Sequence, residues 1–316
     1  MFSRVLIISA AAAFAATAAN AQTVGIGSTK SSMVAAMTTA ISGVVSGKSI
    51  LKMRRQVMGG TQKYIPVVNA GELEFGVSNM IQYAMAIDGR DLSSKPYKNL
   101  QLVATLMRFR TGLLVRNDSD IKTVADLKGK RLPHGFKGAP LFDSFFKSML
   151  ATSGLTYADA KHVPAVGLSQ SWNLFKQGKV DSVIAGVGGG PNKDMNAKIP
   201  SGVRYLSFPT DTPAAKAAIA AMPGGAFELV EKSKPYVAIR TPAVLIGYDF
   251  MLFTHKGVPQ DTVYKVAKSM VEGVKDLHAV SPVWRSFNEK RASKDQGYAY
   301  HAGAMKLYKE KGLWTR

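Results

Sequence analysis

The feature that most constrains the fold is a unit of strand, polar loop and helix that starts twice along the chain. In the first copy, the apolar run at residues 23–27 breaks into Ser28–Ser32, and a small-residue helix follows. After residue 118 the unit starts again, and Leu245–Thr254 later alternates as a returning strand. Strands joined by helices build α/β sheets, which bind small molecules at the carboxyl ends of the strands. The sequence therefore predicts two α/β lobes joined by crossing strands, with a ligand cleft between them.

The position of the second start sets the expected domain boundaries. We assign residues 22–117 and 242–316 to the first lobe and residues 118–241 to the second. Each lobe is expected to contain a mostly parallel sheet flanked by helices. The chain has 316 residues, of which 46% are hydrophobic, so each lobe has enough apolar material for its own core.

The first 21 residues are predicted to be a secretory signal peptide. Arg4 provides a positive start, Val5–Ala19 is an apolar run too short to span a bilayer comfortably, and Ala19–Ala21 offers small residues for cleavage. We therefore expect cleavage after Ala21 and a periplasmic mature protein. The chain contains no cysteine, which excludes disulfides, thiol catalysis and thiolate zinc sites.

The formal net charge of +20 at pH 7 raises the question of the partner. Lys and Arg are spread along the chain without a helix-turn-helix, a zinc finger or a platform of stacked aromatic residues, and an exported protein seldom meets nucleic acid. We therefore expect no nucleic-acid partner. A basic surface that steers anionic ligands, or one that is attracted to anionic lipid, is the preferred interpretation.

The stretch Val57–Met80 predicts a ligand cradle in the first lobe. It reads as a strand end, a glycine turn, a helix that Thr61 is expected to cap and Gly71 to end, a short strand and a polar loop. The turn and the polar loop would lie at the same edge of the sheet. Ordinary turn chemistry with nothing bound remains open here. The cradle residues are Gly60, Thr61, Ser78 and Asn79.

Two other groups of polar residues also suit an anion. Ser31 or Ser32 is expected to cap the first helix, which leaves Ser28, Thr29 and Lys30 at its positive end. Farther along, two predicted strands, Leu100–Met107 and Thr111–Arg116, flank Arg108 and Arg110. These two arginines either clamp an anion or simply face solvent.

The sequence contains no recognisable catalytic or metal-binding motif. The five histidines show no ligand spacing, and neither HExxH, GxSxG nor SxxK occurs. Asp and Glu are sparse and form no recognisable acid/base pair. Binding without turnover explains the sequence most economically, so we expect no enzyme activity, no metal and no cofactor.

Four segments, in order, resemble the TAXI solute-binding proteins, the extracytoplasmic receptors of one branch of TRAP transporters. They are MGGTQKYIPVVNAGELEFGVSN at Met58–Asn79, VADLKGKRL at Val124–Leu132, FKQGKVDSVIAG at Phe175–Gly186 and HAGAMKLYKEKG at His301–Gly312. The resemblance implies a type II periplasmic binding protein and a TRAP permease as partner. Known family ligands include glutamate-like amino acids and dicarboxylates.

Two loops depart from the family pattern. Residues 28–33 stand where a glycine-rich loop followed by aromatic residues is usual, and Phe136–Pro140 replaces a Gly-Ser-Gly-Thr-like loop. Both would touch the ligand, so the usual specificity is in doubt. Lys30 and Lys137 are the expected charge partners of a small organic anion. The full predicted contact set is Ser28, Thr29, Lys30, Ser31, Gly60, Thr61, Ser78 and Asn79 in the first lobe, and Lys137, Gly138, Ser169 and Gln170 in the second.

The sequence leaves three other functions open. The chain could serve an ABC importer of the same two-lobe shape, act as an enzyme on this fold, or be a surface protein that no longer transports. We expect a monomer in each case. The preferred hypothesis is a receptor that closes its lobes on a small carboxylate or amino acid and presents it to a membrane permease.

Overall fold

The computed structural model describes residues 22–30, 32–90 and 93–314. The predicted signal peptide and Ser31 lie outside the described residues. Among the described helices, none combines the length and the apolar composition that a membrane crossing requires. The strands are β1 (Thr23–Thr29), β2 (Lys52–Met58), β3 (Phe75–Asn79), β4 (Leu100–Arg116), β5 (Arg131–His134), β6 (Lys161–Pro164), β7 (Val183–Gly186), β8 (Val203–Tyr205), β9 (Ala226–Val230) and β10 (Ala243–His255).

Helices alternate with these strands along most of the chain, and a helical C-terminal region follows the last strand. The helices are α1 (Met33–Lys48), α2 (Thr61–Ala70), α3 (Met80–Asp88), α4 (Leu141–Ala151), α5 (Leu168–Lys176), α6 (Gly190–Lys198), α7 (Pro213–Ala220), α8 (Gln260–Glu272), α9 (Val274–Val280), α10 (Glu289–Ala292) and α11 (Ala302–Glu310).

The predicted two-lobe α/β fold is confirmed, and a mixed sheet runs through both lobes. Its strand order is β2-β1-β3-β10-β4-β7, with β8 also on β4 and β9 also on β10. The expected parallel pairing holds among β1, β2 and β3 and between β5 and β6, whereas β4 and β10 pair antiparallel with all of their neighbours. Antiparallel ladders are therefore the feature that the repeated strand-loop-helix pattern does not predict.

The two long strands β4 and β10 connect the lobes. The first half of β4 pairs with the second half of β10, next to β3, and the last residues of β4 pair with β7 and β8. β4 ends at Arg116 and β10 begins at Ala243, close to the domain boundaries predicted from the sequence, which stay a prediction.

The prediction of two separate strands around residues 108–110 is wrong, because β4 runs unbroken for 17 residues. Arg108 pairs with Asp249 and Arg110 with Gly247 across the ladder to β10. Glu228 on β9 binds both guanidinium groups beside this ladder.

β10 lacks a strand partner along a short part of one edge. On that edge β9 pairs with Ala243–Gly247, and β3 pairs with Phe250–Thr254. Tyr248 and Asp249 lie between these two ladders, where the chain passes from one lobe to the other. Because successive side chains of a strand point to opposite faces, these two residues face opposite sides of the sheet.

Two predicted helix boundaries change in the structure. The N-cap of α2 is Gly60 and not Thr61, and Gly60 makes no side-chain cap hydrogen bond. The single helix predicted over Pro259–Leu277 divides at Gly273, where a Cβ atom would lie 2.3 Å from the side chain of Val44 on α1. The break lets α1 pack closely against this region.

Candidate functional site

The carboxyl ends of the three parallel strands meet at one edge of the first lobe, as predicted. Thr29 at the end of β1 lies beside Met58 at the end of β2, and Ile26 of β1 pairs with Phe75 of β3. The polar residues at these strand ends therefore lie close together. They are Ser28–Lys30 at the end of β1, Gly60 and Thr61 after β2, and Ser78 and Asn79 at the end of β3.

Gln82 links two of these segments. Its side-chain oxygen accepts a hydrogen bond from Thr61 Oγ1 at 2.5 Å, and its backbone N–H donates to Asn79 Oδ1 at 2.8 Å. Asn79 thereby caps α3. Sequence reasoning missed Gln82, although its position three residues after an Asn cap is the spacing of a capping box and could have indicated it.

The two hydroxyl groups at the end of β1 bind groups at the start of α1. Ser28 is fully buried, and its Oγ lies 2.7 Å from Thr38 Oγ1 on α1. Thr29 Oγ1 lies 2.7 Å from the Oγ of Ser32, and Ser32 caps α1 as predicted. Ser28 and Thr29 therefore shape the start of α1. Lys30 is exposed at the same end of the strand.

In the second lobe, two loops form a connected surface. Gly138 N–H donates to the carbonyl of Val166 at 2.9 Å, and Val166 N–H donates to Gln170 Oε1 at 2.8 Å. Lys137, next to Gly138, is exposed. Gly138 and Gln170 thus belong to one loop cluster with Lys137 at its surface.

Ser169 lies next to Gln170 at the start of α5. It faces a groove of about 280 Å³ between α5 and α6, which also has Trp172, Lys176 and Asp194 in its wall. Lys176 and Asp194 form an ion pair at 2.7 Å across this groove. The role of Ser169 as a ligand contact stays a prediction.

Two contacts between the lobes lie beside predicted site residues. Gln62 Nε2, one residue after Thr61, donates to the carbonyl of Gly138 at 3.1 Å. Gly224, between α7 and β9, packs so closely on the first lobe that a Cβ atom there would lie 2.3 Å from Met80 Cγ. Sequence reasoning missed Gln62, Met80 and Gly224, because nothing local to these residues indicates a contact between distant segments.

Arg108 and Arg110 both bind a carboxylate and so are not available as an anion clamp, and Arg110 keeps 37% of its side chain exposed. Their Nε atoms donate to the two oxygens of Glu228, at 2.5 and 2.7 Å. Arg108 also lies 3.5 Å from Asp249, whose side chain is 1% exposed. Both arginines are thus part of an ion-pair network on one face of the crossing strands.

Asp249 is the centre of this network. Arg291 donates to its Oδ1, and Lys294 and Gln296 donate to Oδ2 at 2.8 and 2.7 Å. Burial by itself would raise the pKa of the Asp249 carboxyl, but the hydrogen bonds from Lys294 and Gln296 and the charge of Arg291 together hold it below its ordinary value. The carboxylate is therefore ionised and fixes the C-terminal region against the crossing strands.

The described residues contain no group of three His, Asp or Glu side chains placed to hold a metal ion. The predicted site residues supply hydroxyl, amide and backbone groups on the two lobes, and Lys30 and Lys137 are exposed next to them. Such groups bind and orient a polar solute by hydrogen bonds and charge.

Comparisons with known proteins support the fold. The model of a family described as NMT1-like matches residues 22–312. MatC from Rhodopseudomonas palustris, solved with bound malate, is 15% identical over 93% of this chain and 97% of that chain, with a TM-score of 0.56. A structure described as a periplasmic transporter is 17% identical over 94% and 95%, with a TM-score of 0.53. An ancestral arginine-binding protein bound to arginine is 15% identical over 83% and 98%, with a TM-score of 0.50.

Proposed function

The chain belongs to the NMT1-like family, and we propose that it is an exported receptor that encloses a small organic anion between its two lobes and delivers it to a TRAP-type permease. The solute is a carboxylate or an amino acid, and it is bound without turnover by a monomeric protein. The observation that carries this proposal is the hydrogen bond between Gln62 and Gly138. It joins the strand-end loops of one lobe to the loop cluster of the other, around the groups that would hold the solute.

The charge of the protein favours an anionic solute. Formal net charge is +20, and Lys30 and Lys137 are exposed beside the two facing loop surfaces. A positive potential of this kind raises the encounter rate with anions. MatC, which shares the fold, was solved with malate, so the two-lobe architecture can hold a small carboxylate.

The proposals that the protein is exported and that its permease is of the TRAP type are based on the sequence. The first 21 residues have the charged start, apolar run and small-residue end of a signal peptide. The ordered set of segments that resembles TAXI receptors favours a TRAP permease over an ABC importer. Uptake in vesicles supplied with the receptor tests this choice: we expect it to continue without ATP, and uptake that needs ATP hydrolysis would assign the chain to an ABC importer.

Calorimetry against malate, succinate, glutamate and arginine tests the binding function. We expect at least one of the three acids to bind and arginine not to bind. Lys137→Ala should weaken the affinity for the bound acid by about 3- to 10-fold, because one charge partner is lost. Lys268→Ala, which removes a charge from α8, is the matched control and should change nothing.

The outcomes separate the parts of the proposal. Equal affinity of Lys137→Ala and the wild type means that Lys137 does not contact the anion. Failure of the wild type to bind any small organic anion contradicts the receptor function itself. Chemical conversion of a bound acid, followed by mass spectrometry, would show an enzyme instead.

A further inference from the structure

Tyr248 occupies the part of β10 that has no strand partner on one edge, between the ladders to β9 and β3. The residues on either side of it pair with strands of different lobes. Gly247 pairs with Ala226 of β9 in the second lobe, and Phe250 pairs with Asn79 at the end of β3 in the first lobe. Asn79 is one of the predicted contacts, and Met80 next to it touches Gly224 of the second lobe. Tyr248 therefore lies where the two lobes and the predicted site meet.

The face of the sheet on which Tyr248 lies is aromatic. Its ring is 5.6 Å from Phe109 of β4 and from Phe145 of α4, and 6.0 Å from Phe250, measured between ring centroids. Phe109 is half-buried, and the other three rings are buried. These four rings, which we call the aromatic floor, connect the crossing strands to the helix that follows the loop containing Gly138.

The Tyr248 hydroxyl differs from those of the other buried tyrosines. Tyr248 is 4% exposed, yet its hydroxyl has no hydrogen-bond partner among the described residues. Among the described buried tyrosines, only Tyr83 also has a hydroxyl without a hydrogen-bond partner. The Tyr83 hydroxyl is sealed from solvent, whereas the Tyr248 hydroxyl is not. The buried tyrosines with a partner are Tyr64, Tyr157, Tyr205, Tyr300 and Tyr308.

The Tyr248 hydroxyl is not sealed, so it can donate to an acceptor atom that enters beside it. Burial raises the pKa of Tyr248, so the phenol stays protonated and can donate a hydrogen bond. This hydroxyl at the meeting point of the lobes has no partner among the described residues and is therefore suited to an acceptor atom of the solute.

We propose that Tyr248 is a specificity-determining residue whose hydroxyl donates to an oxygen on the body of the solute, while the apolar part of that body packs on the exposed side of Phe109. This inference rests on the proposed receptor function and narrows its substrate class. The solute is a monoanion with an apolar, ring-sized body and a second polar substituent, and its charged group lies toward the lysines at the rim.

The same geometry disfavours a second carboxylate at the floor. Arg108 and Arg110 extend from the opposite face of β4, where Glu228 and Asp249 bind them. A carboxylate that contacts the aromatic floor would lose water of hydration, and no arginine of β4 would pair with it. Burying an unpaired charge in this way has a large unfavourable free energy. Dicarboxylates should therefore bind less tightly than aromatic monocarboxylates.

Calorimetry with three probes tests the inference: benzoate, 4-hydroxybenzoate and succinate, against the full mature protein. We expect 4-hydroxybenzoate to bind the wild type more tightly than benzoate, and succinate to bind most weakly. Tyr248→Phe should lower the affinity for 4-hydroxybenzoate by about 2- to 10-fold and leave that for benzoate unchanged, because one hydrogen bond is lost. Tyr83→Phe is the matched control, since it removes a sealed hydroxyl, and it should change neither affinity.

Two results would overturn the inference and leave the receptor function intact. One is tighter binding of succinate than of both aromatic acids. The other is binding of 4-hydroxybenzoate to Tyr248→Phe with the affinity of the wild type. Absence of binding to all three probes and to malate and glutamate would instead contradict the receptor function, and the inference with it.

Discussion

Asp249→Asn is the substitution that most directly tests the ion-pair network on the crossing strands. The variant keeps the shape of the side chain and removes its charge. Arg108 and Arg291 would then keep their charges with side chains that are only 15% and 18% exposed, so water can hydrate them poorly. Four cationic side chains, Arg108, Arg110, Arg291 and Lys294, would face the single carboxylate of Glu228.

The expected loss in the free energy of unfolding is large. Removing one partner of a buried ion pair costs about 3–5 kcal/mol, because the remaining charge is left without compensation. We expect a value near the lower end, about 3 kcal/mol, since the amide oxygen of Asn can still accept a hydrogen bond and Lys294, whose side chain is 46% exposed, can turn toward solvent.

Urea unfolding followed by circular dichroism measures this change. Asp261→Asn is the matched control, because it breaks an exposed pair between Asp261 and Lys265 on α8 and should cost less than about 0.5 kcal/mol. A further Arg291→Met change in the Asp249→Asn background should restore part of the stability by removing an unpaired charge. A loss below about 1 kcal/mol for Asp249→Asn, similar to the control, would refute the view that this network is energetically buried.

Three further predictions concern pH, a buried hydroxyl and glycine. Because the pKa of Asp249 is lowered in the folded state, its contribution to stability is present above its unfolded pKa of about 4 and is lost as the pH falls through the folded pKa. When unfolding is measured at decreasing pH, the free energy of unfolding should therefore fall less steeply for Asp249→Asn than for the wild type. Tyr83→Phe should leave the free energy of unfolding unchanged or raise it by up to about 1 kcal/mol, because the lost hydroxyl has no partner, and a loss above that size in urea would contradict this. Gly71→Ala should lower the free energy of unfolding by about 1–2 kcal/mol, because Gly71 ends α2 with a φ of 80°. Gly43→Ala, inside α1 with open space around the new methyl group, should raise it by about 0.5–1 kcal/mol. Equal effects of the two substitutions in thermal unfolding would refute this backbone argument.

Much of the local structure could be predicted because its causes are local. Ser32 caps α1, and Gly71 ends α2 in the left-handed conformation, as the residue types indicate. β9 was not predicted: Ala226–Val230 is short and has no strong alternation, and it becomes a strand because β10 offers it a ladder. Strand formation there depends on a partner that the segment itself does not specify.

The candidate site divides in the same way. The position of Thr61 and Asn79 at one sheet edge follows from parallel strands, whose carboxyl ends must meet. The contact of Gln62 with Gly138 bridges segments 76 residues apart, and no periodicity or cap signal encodes it. Ser169 was grouped with the site by its place in the helix start, whereas the structure turns it toward the α5–α6 groove.

The sequence by itself determined the two-lobe α/β class, the loops at the strand ends and a positively charged protein without a catalytic motif. These properties depend on spacing, residue type and composition, which are readable along the chain. Only the tertiary structure decided that Arg108 and Arg110 bind Glu228, that Asp249 holds the C-terminal region, and that Tyr248 lies between the lobes with an unpaired hydroxyl. The physical reason is that the partner of a buried charge or hydroxyl is chosen by the packing of distant strands.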